Sequence, residues 1–147
     1  MKYKYIVAID PSVNLSGVCV YNLNTKEIEE LSSKRIWEIF QDINLADLGS
    51  VYFFVENSNL VKGNWHGKTA RGNVGKNKGI SQNIVDYLRE FKASFEELKP
   101  NGYSLKFASA KKFIDTTECT IRSNKDNRAA AAMIYYNPTL VKYVSQL

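Results

Sequence analysis

The chain has 147 residues, enough for one domain around one apolar core. Hydrophobic residues make up 44%, the usual share for a globular protein, and no apolar run nears the roughly 18 residues of a membrane span. The formal net charge is +5, and where that charge lies along the chain says more than its size. Met1 to Lys4 lead straight into a strand and do not read as a signal peptide, so the expectation is a soluble intracellular protein.

In chain order, Tyr5 to Ile9 form a short apolar run bounded by turn residues, the pattern of a buried strand. It ends on Asp10, and Pro11 stops it. Gly17 to Tyr21 follows closely enough to be its hairpin partner. Asn22 to Thr25 make a turn, and Lys26 to Leu31 read as a third, largely charged edge strand. Ser32 or Ser33 offers an N-cap to a helix over 34–43, where Ile36, Trp37, Ile39, Phe40 and Ile43 recur at helical spacing. After a connection at Ala46 to Ser50, Val51 to Val55 form the second strongly apolar strand, which ends on Glu56.

Residues 57–78 form a long polar segment. Gly63, Gly67, Gly72, Gly75 and Gly79 are five of the eight glycines in the chain. No acid lies between Glu56 and Asp86, while Lys62, Lys68, Arg71, Lys76 and Lys78 all do. A long basic loop of this kind suits a functional, polyanion-contacting role. A helix is expected from near Gly79 to Leu98, with Ile80, Ile84, Leu88, Phe91, Phe95 and Leu98 on one stripe and Lys99 to Gly102 ending it. Tyr103 to Ala108 alternate like a strand. Ser109 caps a short helix through Asp115, and Thr116 to Arg122 connect it to a last clear helix over about Asn124 to Tyr136. Ala129 to Ala132 give that helix a small-residue face for close packing on a sheet. Asn137 and Pro138 end it, and residues 139–147 form a short terminal helix. The two cysteines, Cys19 and Cys119, lack metal-ligand spacing, and Cys19 reads as a small buried hydrophobe.

Two apolar strands that each end on a carboxylate stand out. If they are parallel neighbours, Asp10 and Glu56 share one edge of the sheet, where ligand sites of open α/β sheets lie. A buried carboxylate needs a partner, and a metal ion is a common one. Asp126, in the first turn of the last long helix, is explained on its own by the helix dipole. Together with Asp10 and Glu56 it reads as a third metal ligand. Carboxylate oxygens suit Mg²⁺, and a single histidine gives no support to a His-rich zinc site.

In this order the motifs resemble the RuvC-like Holliday junction resolvases of the RNase H-like superfamily, closest to those of phages and other mobile elements. IDPSVNLSGVCVY resembles the first motif, an Asp ending strand one with a Ser/Thr-Gly before strand two. FFVEN resembles the second, NVGKNKGISQNIVDYL the start of the central helix, and FASAKKFI the strand and lysine-bearing helix before the last motif. The resemblance covers nearly the whole chain. It implies a single domain over residues 1–147, an α/β fold with an RNase H-like mixed five-stranded sheet flanked by helices, and a cytoplasmic homodimer that cuts four-way DNA junctions in recombination and repair. It implies two Mg²⁺ ions about 3.5–4 Å apart, with Mn²⁺ as a substitute. Asp10 would bridge both ions, Glu56 would hold one, and Asp126 the other. Lys111 or Lys112 either approaches the phosphate or lies on a solvated face. Lys62, Lys68, Arg71, Lys76 and Lys78 would pair with phosphates. Trp65 or His66 would stack on an unpaired base, the alternative for Trp65 being a loop anchor. The helix from Gly79 is a candidate dimer interface or simply core.

The family's last motif is roughly Asp-x-x-Asp-Ala. Laid on it without a gap, Asp126 takes the first acidic position and Ala129 the second. Three explanations compete: an engineered Asp-to-Ala change, a natural loss that leaves a weak or inactive nuclease, or a register in which Asp126 is itself the last acid, assisted by Asn127 or Ser123. The corresponding functions are a junction-resolving endonuclease, a catalytically inactive branched-DNA-binding module, or another RNase H-like nuclease acting on flaps or hybrids. An actin-like ATPase half is disfavoured, because the chain is too short for two halves and lacks a second phosphate-binding hairpin.

Overall fold

The computed structural model describes the backbone of residues 1–60 and 68–147, and the side chains of all of these except 68–75. Five strands form one mixed sheet. They are β1 (Tyr5–Asp10), β2 (Ser16–Asn22), β3 (Glu27–Lys34), β4 (Val51–Glu56) and β5 (Ser94–Leu98), in spatial order β3-β2-β1-β4-β5. The first three are an antiparallel meander, while β4 pairs parallel with β1 and β5 parallel with β4. Among the described residues six helices accompany the sheet: α1 (Ile36–Leu45), α2 (Lys68–Glu90), α3 (Tyr103–Lys106), α4 (Ala110–Thr117), α5 (Lys125–Tyr135) and α6 (Pro138–Ser145).

Both faces of the sheet are covered, which is why β1 and β4 read as continuous apolar runs. On one face Ile6, Ala8, Cys19, Tyr52 and Phe54 pack against Ala129 to Ile134 of α5, with Phe107 and Phe113 closing the layer. On the other, Ile9, Val18, Phe53 and Val55 meet Ile39 and Ile43 of α1 and Ile84, Val85 and Leu88 of α2. The four consecutive alanines of α5 are all buried, and they let its backbone come close to β1 and β2. Cys19 and Cys119 are both free and buried. Among the described residues no helix is long and apolar enough to cross a membrane.

Four elements differ from the sequence expectation. β3 runs on through Ser32 and Ser33 to Lys34, so neither serine caps α1; its N-cap is Arg35. The long helix ends at Glu90, and Ser94–Leu98 is a strand. Lys92 takes a left-handed backbone (φ 56°), and the Ala93 amide turns back to the Leu88 carbonyl at 2.9 Å. Phe95 and Leu98 merely continue the helical spacing while pairing with Phe53 and Glu56 of β4. Tyr103–Lys106 is a single helical turn, not a strand. Gly102 sits at φ 63° before it, and a helix buries both Tyr103 and Phe107, four residues apart. Finally, α2 begins at Lys68, so Lys68, Arg71, Lys76 and Lys78 lie on a helix and not in a loop. A one-turn 3-10 segment, Ser58–Leu60, docks on it through a hydrogen bond from Asn59 Nδ2 to the Lys78 carbonyl (2.9 Å).

Candidate metal centre

The register of β1 and β4 runs Tyr5 opposite Val51 through Ile9 opposite Val55. Asp10 and Glu56 are the next residues along, so they end adjacent parallel strands side by side, about 4.8 Å apart between strands. Side chains alternate across a strand. Asp10 therefore shares a face with Ile6 and Ala8, and Glu56 shares it with Tyr52 and Phe54, which is the face covered by α5. Asp126, in the first turn of α5, completes the group.

The electrostatics agree with this placement. Burial, then the carboxylates of Glu56 and Asp126, push Asp10 up from 3.8 to about 8. Burial also raises Glu56. Among the described residues no lysine or arginine pairs with any of the three acids. Among the same residues no three acid, cysteine or histidine side chains lie, as they stand, in a group that could hold a metal ion. Asp10 and Glu56 are half-buried at the sheet edge and Asp126 is exposed; the three are near enough for the other two carboxylates to raise Asp10. Hard oxygen donors carrying uncompensated negative charge fit a divalent cation such as Mg²⁺, which keeps several of its own waters.

Gly17 is what brings α5 to this edge. It pairs with Asp10 across the hairpin. A Cβ on Gly17 would lie 2.7 Å from the Asn127 amide nitrogen and closer still to the Asp126 carbonyl group. Only glycine permits that approach. The start of α5 is then fixed by a reciprocal cap. Asn124 Oδ1 accepts from the Asn127 amide (2.9 Å), and Asn127 Oδ1 accepts from the Asn124 amide (2.8 Å). Asn124 Nδ2 also donates to Ser33 Oγ on β3 at 2.7 Å. Asn124→Ala is expected to lower stability by about 1 kcal/mol, measured as a shift in the urea midpoint. It should also weaken any divalent-cation binding at these acids, because the first turn that carries Asp126 loses its tether.

Glu56 has its own support, which sequence reasoning missed. The Asn57 amide donates to the Leu98 carbonyl (2.8 Å), and Asn57 Nδ2 donates to Glu97 Oε1 (2.7 Å). Asn57 Oδ1 accepts from the amide and side chain of Asn59 (3.0 and 2.8 Å). This network, centred on the buried Asn57, ties the end of β4 to β5 and, through the exposed Asn59, to α2. The only sequence signal was an Asn-x-Asn directly after the acid.

The other expected site residues are distributed as follows. Asn127 is occupied by its cap, and Ser123 Oγ accepts from Arg128 Nη1 (3.1 Å). Ala129 is buried with Ala8 and Cys19 in the layer between α5 and the sheet. Lys111 pairs with Asp115 on its own helix (2.8 Å) and Lys112 is exposed beside it. On α2, Lys76 is exposed and Lys78 half-exposed. Lys62, Trp65 and His66, and the side chains of Lys68 and Arg71, lie outside the described residues.

No protein-family model matches the sequence, and no curated protein matches it. Among solved structures, the chain is similar to Thermus thermophilus RuvC in complex with a Holliday junction substrate. The TM-score is 0.53 at 12% identity, over 94% of this chain and 96% of that one. It is also similar to a second Thermus thermophilus RuvC structure, with a TM-score of 0.50 at 12% identity over 92% and 96% of the two chains. At that identity the likeness shows a shared fold: a RuvC-like, RNase H-like mixed five-stranded sheet flanked by helices.

Proposed function

We propose that this chain is a Mg²⁺-dependent endonuclease that binds and cuts branched DNA, with four-way junctions as its preferred substrate. The observation that carries the reading is the convergence of Asp10, Glu56 and Asp126 at one end of the sheet, without a cationic partner among the described residues, on a RuvC-like fold. Asp10, between the other two acids, would bridge two ions, with Glu56 on one and Asp126 on the other. Ions held there would supply an activated water and stabilise the leaving oxygen; Mn²⁺ would substitute. The chain's own contribution is to hold three oxygens in place through Gly17, Asn124 and Asn57. The basic residues from Lys62 to Lys78 would follow the phosphates, so affinity falls as salt rises. Trp65 or His66 would stack on an unpaired base at the branch. Lys111 and Lys112 would meet phosphates from the exposed face of α4. The motif spelling favours the type carried by phages and other mobile elements, acting in the cytoplasm of the infected or host cell.

Two symmetric cuts need two sites, and we propose a homodimer built on the α1–α2 side. There Phe40, Tyr87 and Phe91 stack in a row with ring centroids 4.1 and 4.7 Å apart. Trp37 is 61% exposed beside them.

Ala129 supports a second reading, a branched-DNA-binding module whose last acid is absent. Cleavage of a synthetic junction by the chain and by Ala129→Asp separates the two. We expect the unaltered chain to cut, and the substitution to lower stability by several kcal/mol by placing a carboxylate in an apolar layer. Paired cuts by the Asp variant alone would establish the binding module. Loss of any junction preference in both would remove the resolvase reading.

A further inference from the structure

A groove of about 470 Å³ lies at the far end of the sheet from the carboxylates. Tyr21 on its wall pairs across from Ile6, whereas Gly17 pairs with Asp10, so the two sites are about 13 Å apart along β2. The groove is framed by the β2–β3 turn on one side and the α5–α6 hairpin on the other. Leu23, Ile134 and Val141 give it an apolar floor. Tyr21 and Tyr135 meet edge to face above that floor, with ring centroids 5.8 Å apart. Both phenols carry their proton at neutral pH and can donate hydrogen bonds, and burial raises them further.

The charge on the rim is one-sided. Lys26 and Lys142 line the groove and no acid does. Both are exposed, and among the described residues neither is in an ion pair. Lys26 holds a left-handed backbone at φ 60°, a conformation that glycine or asparagine adopts more readily. The turn itself is already made by Asn22, whose Oδ1 accepts the amides of Asn24 and Thr25 (2.8 and 3.1 Å). A lysine at this position is therefore not what the turn requires.

We propose that this groove is a docking site for a short acidic peptide segment of a partner protein, with one apolar or aromatic side chain seated on the Leu23–Ile134–Val141 floor and its carboxylates between Lys26 and Lys142. The volume fits one or two such side chains and lies within the range of small-ligand sites. A nucleic acid is disfavoured, because the floor is apolar and the two lysines form no continuous basic track. Docking here leaves the carboxylate edge free, so a partner can deliver the enzyme without blocking its site.

The test is fluorescence anisotropy of the full chain with a labelled Glu-Asp-Asp-Leu-Phe peptide. Controls are a Lys-for-acid version, a Ser-for-Leu-Phe version, and a labelled single-stranded oligonucleotide. Saturable binding is expected for the first of the three peptides alone, weakening with salt, and the oligonucleotide, which would bind along the basic residues 62–78, should not displace it. The double variant Lys26→Glu, Lys142→Glu should lose at least about tenfold in affinity. Lys26→Gly should weaken binding while keeping or raising the melting temperature, a split that a merely structural role for Lys26 would not produce. Junction cleavage should be unchanged in each. Equal binding of acidic and basic peptides, indifference to the lysine changes, or competition by the oligonucleotide for the same site would overturn the proposal.

Discussion

Gly17→Ala is expected to lower stability by about 2–3 kcal/mol and to cut the proposed nuclease activity by about 100-fold. The added methyl has nowhere to go. Its position falls against the Asp126 carbonyl and 2.7 Å from the Asn127 amide, and these are backbone atoms, not the ends of flexible side chains. Either β2 or the first turn of α5 must move. The hairpin pairing of Gly17 with Asp10 resists the first, and the Asn124–Ser33 bond resists the second. What moves carries Asp126 away from Asp10. Urea unfolding and a junction-cleavage time course measure the two effects separately. A variant of unchanged stability would mean that α5 does not start against β2.

Asp10→Asn is expected to have opposite effects on activity and on stability. The proposed activity should fall by on the order of 10³-fold or more, since losing an oxygen that would hold an ion raises the barrier by several kcal/mol. The metal-free protein should become more stable at alkaline pH. Asp10 is raised in the folded state to about 8 from 3.8. Between those values the folded chain keeps a proton that the unfolded chain has lost. Stability is therefore highest below about pH 4, falls as pH rises through that window, and is level above it. Asp10 keeps some contact with solvent, so the loss should be about 1–3 kcal/mol, less than the full shift implies. In Asp10→Asn the part of the slope due to Asp10 disappears, leaving the part that Glu56, also raised by burial, contributes. Mg²⁺ should restore the unaltered chain, by about 2.7 kcal/mol at a concentration 100 times its Kd, and leave the variant unmoved. Thermal melts at pH 4 and pH 9, with and without Mg²⁺, check every part of this.

The parts of the fold legible in the sequence were those written by burial on both sides. The runs ending at Asp10 and Glu56 are apolar throughout because helices cover both faces of β1 and β4. Their acids stand out for the same reason. The alanine run correctly announced a helix pressed onto the sheet. The errors fell where local spacing was ambiguous. Phe95 and Leu98 fit a helical stripe as well as they fit β5, and only the left-handed turn at Lys92 separates the two. Tyr103 to Ala108 alternate, yet the pair that matters is Tyr103 and Phe107. The supports of the acids were hidden because they join distant segments. Asn57 meets Glu97, Asn59 reaches Lys78, and Asn124 meets Ser33. Gly17 was visible as part of a motif, but its reason, the backbone of Asp126, is a tertiary contact.

The central claim is that Asp10, Glu56 and Asp126 make one metal-dependent cutting site for branched DNA. It is tested most directly by incubating the chain with an end-labelled four-way junction and with a linear duplex of the same sequence, in Mg²⁺ or in EDTA, alongside Asp10→Asn. Paired cuts in the junction that require Mg²⁺ and vanish in Asp10→Asn, with the duplex spared, are the expected result. Cutting that survives Asp10→Asn or EDTA, or that treats junction and duplex alike, would contradict it.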